Sequence, residues 1–314
     1  MKLRQIVTTN TDFHFTMATT IHQTYNDWEN LIPFIDKAAN DSKQGEAIFR
    51  NYFDEITVEN KPGNKWIIIN AAKHSSAFFC LSLKNLLGCR LNKNVCCIPL
   101  YLYNEGEKTD NITGWALSLF QEKYQLNESS SPVCYLNSSE VSEEFRMTDD
   151  SFKTVTKEAI FHYIYAVLHN PDYREKYGVF LKADFPRIPL YCNFWQWANW
   201  GEQLMSLHMN FEMAKPYELQ RNEILSKENP KVKLTALKDM GVILLDENTE
   251  LRGIPTVAWE YKVGDLSALE LVLQQYNIDK FSDQKETLIE LLKKVCTVSL
   301  ETMKVVEEMK GIKN

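Results

Sequence analysis

The chain has 314 residues, 44% of them hydrophobic and 25% charged, with a formal net charge of −7 at pH 7. That length can bury a sizeable core in one large or two modest domains, and the composition is that of an ordinary globular protein. No apolar run approaches the roughly 18 residues a membrane helix needs, and the N-terminus MKLRQIVTTNTDFHF has no signal-peptide core, so a cytoplasmic protein is expected.

Short helical patterns run from Ile21 to Phe53, and Pro62-Gly63-Asn64 forms a turn. Three strands are predicted next, at Trp66–Asn70 (WIIIN), Ala77–Leu83 (AFFCLSL) and Val95–Tyr103 (VCCIPLYLY), with a short helix at Lys84–Gly88. Asn104–Asn111 is a polar, acidic connection. Trp115, Leu119, Phe120 and Tyr124 fit a short helix, and the acidic, Ser-rich run Ser138–Asp150 fits a linker.

From Thr154 the pattern is mainly helical. Thr156 is placed to cap a helix whose apolar face is Ile160, Phe161, Ile164, Val167 and Leu168. Asn170-Pro171 ends that helix and starts another, which carries Tyr173, Tyr177, Phe180 and Leu181. Phe185-Pro186-Arg187-Ile188-Pro189 must then be extended. Phe194 to His208 is a further helix, with Gly201 allowing close contact. Val242–Leu251 suggests a hairpin, Leu266–Gln275 a helix capped by Asp265, and Asp283–Met309 a last helix for bundle packing.

The expected fold is therefore α+β: an N-terminal mixed α/β lobe, then a mainly helical C-terminal lobe with a small β-hairpin. The expected segments are 1–104, an acidic connection 105–153, and 154–314.

Catalytic signatures are missing. The seven cysteines form no metal-ligand spacing, and the six histidines are scattered. No phosphate-binding loop or hydrolase motif occurs. Asn170-Pro171-Asp172-Tyr173 superficially resembles the NPPY tetrad of adenine methyltransferases, but it follows an amphipathic helix and lacks the second proline. A helix corner explains it better. Arg187 and the tryptophans Trp195, Trp197 and Trp200 fit core and corner positions.

Charge is segregated. Asn60–Asn104 contains no acid and six cations, whereas Glu105–Asp150 holds ten acids against Lys108, Lys123 and Arg146. The basic stretch interleaves its cations with asparagines and serines, types suited to phosphate and base-edge contacts.

The segment IFHYIYAVLHNPDYREKYGVFLKADFPRIPL (Ile160–Leu190) resembles the C-terminal specificity domain of type ISP restriction–modification enzymes. So do PLYLY at Pro99–Tyr103, LHMNFE at Leu207–Glu212, GIPTVAWEYKVGDLSALELVLQQY at Gly253–Tyr276 and TVSLETMKVV at Thr297–Val306. The resemblance implies a non-catalytic, sequence-specific double-stranded DNA recognition module. The acid-free stretch, where the resemblance itself is weak, supplies the candidate DNA contacts Lys61, Lys65, Lys73, His74, Arg90 and Lys93. The resemblance also implies docking on methyltransferase and helicase-like domains of the same or a companion chain. S-adenosylmethionine, ATP and magnesium would belong to those partner domains, with no cofactor or metal site in this segment and no membrane partner. Because the family's specificity domain ends a much longer polypeptide, Met1 is expected to mark an excised piece or a separate subunit. Two alternatives stay open: a diverged adenine methyltransferase, and a protein-interaction module without DNA binding.

Overall fold

A computed structural model describes residues 31–33, 63–70, 77–84, 95–104, 107–124, 154–224, 230–276 and 281–312. The linker expected at Ser138–Asp150, and all of the helix expected at Lys84–Gly88 except Lys84, lie outside the described residues. The fold is α+β, as expected.

Ile32 and Pro33, within a stretch expected to be helical, form the short strand β1. A three-stranded antiparallel sheet follows, built from β2 (Trp66–Asn70), β3 (Cys80–Leu83) and β4 (Val95–Pro99), with β2 in the middle. The strand expected to run on to Tyr103 breaks at Leu100, whose N–H turns aside to the Lys65 carbonyl. The chain resumes as β5 (Tyr101–Asn104), paired with β6 (Glu107–Asp110). The acidic connection is thus half a hairpin. Helix α1 (Gly114–Tyr124) occupies the expected place.

Helix α2 (Lys157–His169) is the centre of the first core: every residue from Ala159 to His169 is buried. A helix apolar on all sides can only lie inside a protein. The Thr156 hydroxyl accepts the Ala159 N–H at 3.1 Å, capping its start. Asn170 serves two helices at once. Its own N–H closes α2 on the Ala166 and Val167 carbonyls, and its side chain accepts the Tyr173 N–H at 3.0 Å to open α3 (Pro171–Ala183). Arg174 Nε donates to the Leu168 carbonyl at 2.6 Å, placing a cation at the negative end of α2.

The extended exit becomes β7 (Arg187–Ile188), paired with β1. Tyr163 and Tyr173 hold it, their hydroxyls donating to the Pro189 and Arg187 carbonyls at 2.8 and 2.7 Å. Helix α4 (Phe194–Met209) then packs along α2. At Gly201 a Cβ would stand 1.8 Å from the His162 carbonyl oxygen, so only glycine permits this approach. Trp197 and Trp200 are buried here, as expected for core residues. Ile67, Ile69 and Ile98 of the sheet share this core with α1, α2 and α4. Packing therefore joins residues from both sides of the boundary expected at 104.

A second core lies beyond Met209. The expected hairpin is present as β10 (Val242–Asp246) and β11 (Thr249–Arg252), but it is the middle of a larger sheet. With β8 (Gln220–Glu223) and β9 (Val232–Leu237) it forms a four-stranded antiparallel sheet of order β8-β11-β10-β9. A small β12–β13 pair (Lys262–Val263, Leu266–Ser267) leads into α5 (Ala268–Gln275). The cap of α5 is Ser267, not Asp265: Ser267 and Glu270 form a reciprocal capping box. Asp265 instead accepts the Ala77 N–H, at 3.3 Å to each oxygen. Helix α6 (Phe281–Glu308) has a break at Gln284 and lays Leu288, Ile289 and Leu292 against Ile243, Leu245 and Leu251.

The two cores meet at a buried polar staple. The Tyr165 hydroxyl and His208 Nδ1 are 2.6 Å apart, and His208 Nε2 lies 2.9 Å from the Thr302 hydroxyl on α6. His208 also stacks on Tyr261, with ring centroids 5.2 Å apart. Thr302 interrupts the apolar stripe of α6 for this reason, and Ser299 interrupts it one turn earlier. Each finds a partner, Ser299 donating back to the Val295 carbonyl at 2.8 Å.

Candidate nucleic-acid interface

The three-stranded sheet is formed within the acid-free stretch Asn60–Asn104. Register sets Trp66 opposite Leu83 and Pro99, and Asn70 opposite Val95. Strands β3 and β4 therefore run parallel on either side of β2. Asn70 ties the neck of the β2–β3 connection. Its amide donates to the Ala77 carbonyl at 3.2 Å and its oxygen accepts the Phe79 N–H at 2.6 Å.

Of the six residues expected to contact DNA, Lys65 is described; Lys61, Lys73, His74, Arg90 and Lys93 lie outside the described residues. Lys65 sits at the Trp66 end of the sheet. Its Nζ is 2.7 Å from Glu158 Oε1 and 3.1 Å from His162 Nε2, so two of its three N–H donors face groups on α2. A phosphate at Lys65 would compete with a carboxylate already in place.

The charges around this contact are tuned together. Burial pushes the Glu158 carboxyl up, but the hydrogen bond and charge of Lys65, with His162 and Lys108, outweigh it and hold Glu158 below the usual range. Burial, aided by the Lys65 cation, lowers His162 to about 4, so its neutral ring accepts from the ammonium. Lys157 pairs with Asp110 at 3.1 Å, and Lys108 lies 3.5 Å from the centroid of the Tyr101 ring. The patch braces the sheet and the β5–β6 hairpin against the first turn of α2. Sequence reasoning saw the lysine but not Glu158, 93 positions away.

The NPDY tetrad is the α2–α3 corner, with the Tyr173 hydroxyl spent on the Arg187 carbonyl. Among the described residues no group of three or more His, Cys, Asp or Glu side chains could hold a metal ion. No helix among them is long and apolar enough to cross a membrane.

The four-stranded sheet offers a surface the sequence did not suggest. Ile243, Leu245 and Leu251 face α6, while Gln220, Asn222, Glu250 and Arg252 point the other way. Strand β8 has all four residues exposed, including the two turned toward α6.

The chain belongs to the type ISP C-terminal specificity domain family, whose description matches residues 32–308. Among solved structures it is similar to the cryoEM structure of a DrdV–DNA complex, with 35% identity and a TM-score of 0.65, covering 80% of this chain and 25% of that one. Its fold is also that of a nuclease-deletion mutant of the type ISP restriction–modification enzyme LlaGI in complex with a DNA substrate mimic (24% identity, TM-score 0.56, covering 80% of this chain and 21% of that one). The ATP-dependent type ISP enzyme LlaBIII bound to DNA is a third match (22% identity, TM-score 0.60, covering 80% of this chain and 16% of that one). The chain thus spans a quarter or less of the length of these proteins. None of the curated proteins compared with it matches.

Proposed function

We propose that this chain is the DNA target-recognition part of a type ISP-like restriction–modification system, acting in the cytoplasm without catalysis of its own. The observation that carries this reading is the family match across residues 32–308, joined to 35% identity with a protein solved on DNA. In this reading Lys61, Lys73, His74, Arg90 and Lys93 contact the phosphate backbone. Lys65, already engaged by Glu158, contributes least. Methyl transfer and ATP-driven motion belong to partner domains on the same or a companion chain, which would hold S-adenosylmethionine, ATP and magnesium.

The test is binding of duplex DNA by the 314-residue chain across a salt series. Phosphate contacts release counterions, so six of them give a slope of log affinity against log salt near about −5. A flat dependence, or no binding at low salt, would reject the reading. Calorimetry with S-adenosylmethionine should show no heat of binding; a measurable site would favour the diverged-methyltransferase alternative.

A further inference from the structure

We infer that the outward face of the β8-β11-β10-β9 sheet meets the base edges of the DNA target, with Arg252 and Asn222 as specificity-determining residues. This rests on the reading above that the chain binds duplex DNA.

The sheet has one closed face and one open face. On the closed side Ile243, Leu245 and Leu251 pack on α6. Strand alternation and register place Gln220 and Asn222 of β8, Glu250 and Arg252 of β11, and Thr235 of β9 on the other side, with Val242 and Leu244 of β10 between them. The polar residues among them are exposed except for the half-buried Glu250, while Val242 is buried.

Their chemistry is that of direct readout. Arginine pairs in two-pronged fashion with guanine, and asparagine or glutamine with adenine. The arrangement is also held in place. One oxygen of Glu250 accepts from Asn222 Nδ2 at 3.1 Å and from Arg252 Nε at 2.5 Å. Glu250 therefore fixes both side chains while using only the inner nitrogen of the guanidinium. The two terminal nitrogens of Arg252 have no hydrogen-bond partner among the described residues, and they form the fork that guanine O6 and N7 accept. The side-chain oxygen of Asn222 and its second amide hydrogen are likewise left for a base.

The dimensions agree. Neighbouring strands lie about 4.8 Å apart, so the β8–β11 ribbon fits a major groove about 12 Å wide. Strand β9 stands two strand spacings from β11, roughly 10 Å away. That offset brings β9, with its exposed Lys233, toward the groove wall, where phosphates lie.

The experiment is selection of duplexes from a randomised pool by the 314-residue chain and by its Arg252→Ala, Asn222→Ala and Lys233→Ala variants, each first shown to melt like the parent. Arg252→Lys, which keeps the charge and loses the fork, stands in if Arg252→Ala melts early. The parent is expected to enrich one motif. Arg252→Ala should relax a guanine position and Asn222→Ala an adenine position, each losing about tenfold to a hundredfold in discrimination there. Lys233→Ala should weaken all sequences alike and make the salt slope shallower by about one. If the variants enrich the parental motif at parental stringency, the sheet face is not the reader, while the DNA-binding function stands. A parent that binds duplexes but enriches no motif overturns the inference in the same way. A parent that retains no duplex overturns both.

Discussion

The two sheets of this protein solve opposite problems. In the first, all five residues of β2 are buried, Trp66 and Ile68 on one face as well as Ile67 and Ile69 on the other. A strand covered on both sides reads as one apolar run and can show nothing to a partner; what it offers is stiffness. In the second, β8 and β9 carry exposed polar side chains, while the apolar face packs on α6. The contrast separates holding from reading: aromatic packing around α2 supplies the frame, and the later sheet supplies the reach.

Changes that unsettle the frame should cost the most. Lowering the pH comes first. Burial lowers His208 to about 3 and His162 to about 4, whereas the same rings in the unfolded chain protonate near 6.5. Acid therefore favours the unfolded chain: the contribution is complete above pH 6.5 and is lost as pH falls through that window. Each of the two should remove about 2 kcal/mol between pH 6.5 and 5, at about 1.4 kcal/mol per proton per pH unit. Urea midpoints at pH 7.5 and 5.0 measure it, and amide exchange should quicken in α2 more than in β10. Equal midpoints would mean that these rings are not held neutral.

Gly201→Ala is next. A Cβ 1.8 Å from a backbone oxygen forces α2 and α4 apart, because no flexible side chain is there to yield. The expected loss is about 3 kcal/mol, read from urea unfolding. A stable alanine variant would show that the helices have room to separate.

Ser267→Ala has the smallest effect. It removes half of the capping box on α5 in the second region and should cost about 1 kcal/mol. Duplex binding by the folded variant should stay unchanged, since neither Ser267 nor Glu270 is among the residues assigned to DNA. A loss of binding at constant stability would tie α5 to the reading surface and blur the division between the two regions.

Much of the frame was legible because its signals are local. Thr156, Asn170 and Pro171 mark helix ends by their own chemistry, and WIIIN is a strand by composition. The α5 cap was misread as Asp265 although its signal is local too. Asp265 and Ser267 are both capping types, but only Ser267 has a glutamate three residues on, and that pairing was there to be weighed. Of the four-stranded sheet, the central hairpin was legible but the outer strands were not. QRNE in β8 contains no apolar residue and is a strand only because β11 pairs with it, and EKTD in β6 exists only against β5. Charge counting failed differently. It found an acid-free stretch, but the carboxylate that engages Lys65 comes from another part of the chain.

The corner at Asn170 has a mechanical consequence. One residue ends α2 and begins α3, so no spare backbone torsion lies between them to absorb a bend. The helix pair can only tilt as one lever. Any movement of this region has to arise at the ends of this unit, and a single residue inserted after Asn170 would throw the second arm about 100° around its axis.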